Sequence, residues 1–439
     1  MSPRKLLMEH PTGARRRVYL GVVVLAVFIS AYEGQLAPVL PLMLKDLHMS
    51  VQTYGLITAA SLLVGALAGY LGGELVDRVG RVRILIPFAF LSAAACLFMG
   101  LSENVTHFTV ARILLALVEG IAMAGTAPLI RDFTPRMGRA QAFAFWTWGP
   151  VGANFFAAGV AAVTLNLFHQ SWRSQVFVMA AVAGVGALIV SIVLRDLAPE
   201  LRKAIMTTET SILDESPANG KRLGILVRSR SFWAHISANS LMYIFLGTMN
   251  SYAQLMLVEQ FKVGVQTASG ITVAFWLCNL VGSLYFARLS DRAQRRKSFM
   301  ITGSAAAAVL LGIFVFAMQF GDAAPTALLT ILLAGAGAAL GAVFGPWMAS
   351  FSEHIEEIHS DVQGLAFGVN HLVTRLFVLG AVFLAPRVAE SSSWQVWMTV
   401  AGAAVAGFLL VIAQVPGRNK ARAPKVSTSE TDAFQTPVA

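Results

Sequence analysis

The sequence predicts an all-α polytopic membrane protein: twelve transmembrane helices in two pseudo-symmetric six-helix bundles, with both termini cytoplasmic. Three observations predict it. The 439 residues are 56% hydrophobic and only 13% charged, where soluble domains carry roughly a quarter charged residues. The apolar residues gather into twelve runs, each near the ~20 residues that a spanning helix needs. A charged turn containing Asp-Arg lies between apolar runs in each half: Asp77-Arg78 within residues 73–85, and a weaker echo, Asp291-Arg292, within residues 288–297.

In chain order the runs fall near 18–41, 54–74, 83–102, 108–130, 141–165, 174–194, 231–257, 267–287, 299–319, 326–349, 363–386 and 394–414. Helices are the expected spanning form because they satisfy their own backbone groups in lipid. The first seventeen residues are basic, but no small-residue cleavage site follows the first run. That run therefore reads as a span and not as a removed signal peptide. Residues 1–197 form the first bundle and 231–414 the second. Residues 198–230 are polar, lack an apolar period and include Thr207–Gly220, so they read as a cytoplasmic linker. Residues 415–439 read as a disordered cytoplasmic tail.

The basic residues set the orientation. With the N-terminus inside, 27 of the 33 Lys and Arg residues fall on inner segments. The outer loops hold four (Lys45, Arg173, Lys262 and Arg387), and Arg112 and Arg375 lie inside spans. This asymmetry is the positive-inside pattern. It accounts for the net charge of +10 by topology, so a nucleic-acid partner is not expected. Cys96 and Cys278 both lie inside apolar runs, as small buried residues. No cofactor is implied. Glu353, Glu356, Glu357 and Asp361 share an inner loop with His354 and His359, but their spacing matches no metal motif. They read as a solvated helix that pairs with basic loops.

Residues 73–85, Gly-Glu-Leu-Val-Asp-Arg-Val-Gly-Arg-Val-Arg-Ile-Leu, resemble the loop 2–3 signature of the major facilitator superfamily. Only Val82 departs, where a basic residue is usual. The resemblance covers residues 18–414 and implies two six-helix bundles around a central cavity, each built from inverted three-helix repeats. In physical terms, Gly73 lets a neighbouring helix approach and Gly80 permits a tight turn. Asp77 can accept charge-assisted hydrogen bonds from arginines or from a helix N-terminus. Gly73, Asp77, Arg78, Gly80 and Arg81, with Asp291 and Arg292 in the echo, form the candidate gating loop. The loop is either a latch that releases during switching or a fold-stabilising salt bridge on a positive-inside turn.

Ionisable groups inside a membrane cost about 2.5–3.5 kcal/mol on insertion scales and are functional candidates by default. Four stand out: Glu33 in span 1, Arg112 and Glu119 in span 4, and Arg375 in span 11. Arg112 and Glu119 are seven apart, hence on one helix face about 10 Å apart. Span 4 is similar to that of the anion:cation symporters and the Spinster-type lysolipid carriers, where an Arg and a Glu at this spacing take part in proton coupling. Glu33 falls where those families often carry an Asp followed by Arg; here Gly34 stands in place of that Arg. A carboxylate in a low-dielectric site exchanges protons when its solvation or its cationic neighbour changes. Glu33, Arg112 and Glu119 are therefore the candidate proton-coupling set, and the alternative is a static ion pair at Glu119.

Arg375 suits bidentate binding of a carboxylate or phosphate; alternatively it pairs with Glu33 or Glu119. Asn370, Thr374 and Arg375 share a broad polar stripe, and His371 reads as an ordinary helix-face histidine. Tyr32, Asn239, Tyr243, Asn250 and Asn370 complete the candidate substrate set, with interhelical hydrogen bonding as the alternative. Trp146, Trp148, Trp276 and Trp347 either line the cavity or pack. Span 5 carries Trp148-Gly149-Pro150-Val151-Gly152-Ala153-Asn154, a partial match to a motif of proton-driven drug antiporters that lacks its trailing glycines. The spacings Gly65/Gly69/Gly73 and Gly337/Gly341/Gly345 point to close helix packing.

The function expected is a proton-coupled secondary transporter of an organic anion or amphiphile, such as an organic acid or lysophospholipid. The alternative is a proton-driven drug or metabolite efflux antiporter. The partners are the solute or lipid, protons and the bilayer, with the chain a monomer in a bacterial inner membrane. No phosphate loop, metal motif or soluble catalytic domain supports an enzyme.

Overall fold

The computed structural model describes residues 6–415 apart from 135–141, 143–144, 147, 199, 202–223, 225, 294 and 359–362. Most of the linker expected at 198–230, nearly all of the expected tail, and His359 and Asp361 therefore lie outside the described residues. Among the described residues the fold is all helix; the one β feature is an isolated parallel bridge between Leu7 and Leu197.

The first span is helix α1 (Gly13–Glu33), which ends at Gly34. A 3-10 turn at Ala37–Val39 and helix α2 (Leu40–Asp46) follow, each with proline in its first turn. The single run expected at 18–41 is thus broken. Pro38 and Pro41 cannot donate to the preceding turn but fit a helix start. Next come α3 (Val51–Val79), α4 (Arg81–Gly100) and α5 (Val105–Ala124). The run expected at 108–130 breaks at Gly125, and α6 (Thr126–Phe133) continues it past Pro128. Helices α7 (Trp148–Thr164) and α8 (Trp172–Val193) close the first half.

The second half comprises α9 (Arg230–Phe261), α10 (Val265–Ala293), α11 (Arg296–Ala317), α12 (Thr326–Ile358), α13 (Gln363–Ser391) and α14 (Trp394–Gln414). Among the described residues, eleven spans are long and apolar enough to cross a membrane. Helix α7 fills the place of the twelfth; the residues before it are only partly described.

Each half contains a tightly apposed helix pair, α3 with α5 and α10 with α12. Small residues permit both contacts. A Cβ on Gly120 would overlap the Gly65 carbonyl, and one on Gly341 would overlap that of Asn279. The glycine spacings are packing seams, as expected. Both halves also open their last helix alike. Trp172 Nε1 donates to Asp46 at 2.9 Å, and Trp394 Nε1 donates to Glu259.

The halves meet at the end remote from both termini. There α3 packs on α13 and α7 on α10. Gln52 donates to Glu390, Asn166 to Gln266, and Gln266 to the Ala162 carbonyl at 2.6 Å. Deeper in, Gln35 Nε2 donates to Asn250 Oδ1 at 3.4 Å. Tyr54 and Tyr252 meet edge to face at 6.0 Å, beside Gly55. The far end is therefore the closed one.

Candidate functional site

The first half holds a buried ionic cluster. Glu33, the last residue of α1, is fully buried, and neither carboxylate oxygen has a hydrogen-bond partner among the described residues. Glu119 on α5 lies within its electrostatic reach, and Glu119 Oε1 is likewise buried and unpartnered. Arg112, two turns earlier on α5, does not bridge to either acid. Its Nη2 instead donates to the Gly34 carbonyl at 3.3 Å. A Cβ on Gly34 would stand 3.5 Å from Arg112 Nη1, so the α5 guanidinium rests on the main chain at Gly34. The static ion pair considered for Glu119 is not formed among the described residues. Ser92 on α4 is close to Glu33, but its hydroxyl donates to the Ala89 carbonyl at 3.0 Å.

Tyr32 turns away from this cluster. It stacks on Phe28 at 5.8 Å and meets Phe156 of α7 edge to face at 5.2 Å. It joins α1 to α7 and is 1% exposed.

The second half holds a neutral clamp. Asn239 Nδ2 on α9 donates to Asn370 Oδ1 at 3.3 Å and to Thr374 Oγ1 at 3.1 Å, both on α13. Ser240 and Thr374 share a further hydrogen bond at 3.3 Å. All four residues are buried. Tyr243 packs against Phe344 of α12 at 6.4 Å, and Asn250 receives the cross-half bond from Gln35. Trp347 stacks on Phe351 at 5.3 Å and donates to the His235 carbonyl at 3.2 Å, so it packs.

Arg375 leaves this clamp. The expected common stripe is split: Asn370 and Thr374 face α9, whereas Arg375 is exposed. It makes no ion pair among the described residues, so the pairing with Glu33 or Glu119 is not formed. Val382 and Pro386 follow it by seven and eleven residues, which puts all three on nearly one helix face. At Val382 and Pro386 that face abuts Gly55 of α3. Around Arg375, Leu372 and Leu376 are 61% and 57% exposed, and on α3 Leu62 is 37% exposed. Arg375 thus stands on an exposed apolar stretch of α13, beneath the contact with Gly55.

At the terminus-side end, Gly80 has φ 118°, a conformation that favours glycine. Arg81 pairs with Asp132 and donates to the Pro128 carbonyl at 3.0 Å. Arg292 is exposed. Gly73, Asp77, Arg78 and Asp291 sit on helices, but their side chains lie outside the described set. Sequence reasoning missed Asp196, whose carboxylate accepts from the Val82 and Arg83 amides. The one signal was that it is the first acid after span 6.

Comparison with known proteins bears on this arrangement. The sequence model described as the Major Facilitator Superfamily matches residues 20–377 and 256–435. A putative metabolite transport protein of Haemophilus influenzae is 25% identical over 363 residues, 77% of this chain and 82% of that protein. Quinolone resistance protein NorA of Staphylococcus aureus is 27% identical over 161 residues. That match spans 37% of this chain and 40% of the NorA length. Among solved structures, a D-xylose-proton symporter superposes with TM-score 0.72 at 17% identity, covering 92% of this chain and 98% of that one. A bacterial homologue of the human lysosomal transporter Spinster, inward-facing and unoccupied, gives 0.67 at 14% identity, covering 92% and 95%.

Proposed function

We propose, from the premise that the chain belongs to the Major Facilitator Superfamily and is an integral multi-pass membrane transporter, that it couples proton movement to transport of an organic anion or anionic amphiphile. The observation that carries this reading is the pair of acids, Glu33 and Glu119, with buried oxygens and no ion-pair partner among the described residues. An uncompensated buried charge is costly, and a bound proton neutralises it. Glu33 and Glu119 are the proton sites. Arg112, held on the Gly34 carbonyl, is the cation whose approach or withdrawal changes their proton affinity. Alternating access then exposes the acids to one compartment at a time.

Arg375 is the substrate contact. It is an exposed cation flanked by the exposed Leu372 and Leu376, which suits an anionic group carried on an apolar body. The basic-residue asymmetry supports both termini in the cytoplasm, which makes the closed far end the outer one in this reading. Residues 73–85 and 288–297 act as the cytoplasmic gating loops. Efflux is the second reading, favoured by the partial likeness to NorA.

A flux assay in proteoliposomes tests the proposal. A thermal-shift panel of organic acids, lysolipids and cationic drugs first selects a ligand. Its movement is then followed with and without a pH gradient. Acceleration of an anionic ligand by the gradient is expected. Gradient-insensitive flux would overturn proton coupling, and selective flux of cationic drugs would replace the anion reading with efflux.

A further inference from the structure

Asp196 lies just beyond α8, outside every motif of the sequence. Its carboxylate accepts from the Val82 amide at 3.1 Å and the Arg83 amide at 3.2 Å. Both amides belong to the first turn of α4, where backbone donors have no intrahelical partner and the helix dipole favours negative charge. The cap is supplied by the segment after α8, 114 positions away in the chain. Gly80 makes room for it: a Cβ there would stand 3.2 Å from Asp196 Oδ2.

The main chain of Asp196 is held in turn by the N-terminal segment. The Leu7 amide donates to the Asp196 carbonyl at 2.9 Å, and the Ala198 amide donates to the Leu7 carbonyl at 2.8 Å. Leu7 itself is 5% exposed and belongs to the apolar cluster of Tyr19, Val82, Leu129, Phe133 and Leu197. Residues 80–83 are therefore fastened on two sides. Arg81 ties them to α6, and Asp196 ties them to the segment after α8.

We propose that Asp196, fixed by the strap of residues 7 and 196–198, is a positioning residue for the gate. It makes residues 73–83 travel with the first half as one body when the terminus-side end closes. Without it the loop is held to its own half by the Arg81 tie alone, and closure brings its charged residues to a less defined place. This rests on the reading of residues 73–85 as a gating loop.

Double electron–electron resonance on the full chain tests the proposal, with Cys96 and Cys278 replaced and spin labels at exposed sites. Val79, Leu188 and Leu289 are 40%, 52% and 39% exposed. The pair at 79 and 188 reports the loop against its own half; the pair at 79 and 289 reports closure. Asp196→Ala is expected to broaden the first distribution and to lower the closed fraction about tenfold, the scale of one charge-assisted hydrogen bond. Leu7→Pro removes the strap donor together with a buried side chain and should do the same more weakly. Leu7→Ala separates the side-chain part by keeping the amide, and Asp196→Asn should restore part of the order. A first distribution as narrow in Asp196→Ala and Leu7→Pro as in the parent would overturn the proposal. An Asp77→Asn variant with unchanged closure would instead overturn the gating-loop reading, leaving the loop-to-half distances to judge the anchor separately.

Discussion

The two halves share a scaffold and differ in chemistry. Each has a glycine-lined helix pair and a last helix whose first tryptophan donates to an acid at the far end. The interiors diverge. The first half holds two acids with buried, unpartnered oxygens and spends Arg112 on a backbone carbonyl. The second buries a neutral amide–hydroxyl clamp whose members bond to one another. Arg375 stands outside that clamp, exposed on α13. A duplicated fold thus supports a division of labour, with proton chemistry in one half and substrate charge in the other.

The sharpest way to break this contrast is to neutralise the acids. Glu33→Gln and Glu119→Gln each keep size and remove titration. Gradient-driven uptake should fall to the level of empty liposomes, while ligand exchange at equal pH survives in part. Uptake that keeps its full pH dependence in either variant would place coupling elsewhere. The next effect belongs to the other half. Arg375→Ala should weaken an anionic ligand by about 10- to 100-fold, the equivalent of roughly 1.5–3 kcal/mol for a charged hydrogen bond. A neutral ligand should be unaffected, and Arg375→Lys should recover the charge but not the bidentate geometry. Equal losses for charged and neutral ligands would show that Arg375 is structural.

A third test addresses the contact between the halves. A side chain at Gly55 would begin 3.0 Å from the Tyr252 hydroxyl and 3.1 Å from both Pro386 Cγ and the Val382 carbonyl. Overpacking of this kind costs about 1–3 kcal/mol. Gly55→Val should therefore shift the protein toward a state open at the far end, seen as faster labelling of a cysteine placed there by a membrane-impermeant maleimide. Unchanged labelling would mean that α3 and α13 do not form the moving contact.

The spans were legible because lipid imposes length and apolarity together. The run expected at 394–414 coincides with α14 (Trp394–Gln414). Misreadings came where local chemistry outweighs hydropathy. Pro38 and Pro41 restart the first span after Gly34, and α12 runs on to Ile358 because a helix need not stop at the edge of its apolar run. The spacing of Arg112 and Glu119 gave a shared face but not the partner. Arg112 reaches a carbonyl 78 positions away, and a backbone acceptor has no sequence signature. Asp196 was hidden for the same reason, since its partners are amides. The stripe of Asn370, Thr374 and Arg375 divided because adjacent residues on a helix point about 100° apart.

The smallest predicted effect asks whether the neutral clamp is only structural. Hydrogen bonds between membrane helices average about 0.6 kcal/mol in double-mutant cycles, because the separated helices also find partners. In the cycle of Asn239→Ala with Thr374→Val, the coupling energy from reversible unfolding should lie near that value. Flux and its pH dependence should stay close to the parent's. Thr374→Val leaves Asn239 Nδ2 with its Asn370 bond, so this single variant should be the mildest. A coupling of that size with intact flux would make the second half's buried polar groups helix–helix fasteners, leaving Arg375 as its functional charge. Loss of flux without loss of stability would move Asn239 and Asn370 into the substrate site and weaken the contrast between the halves.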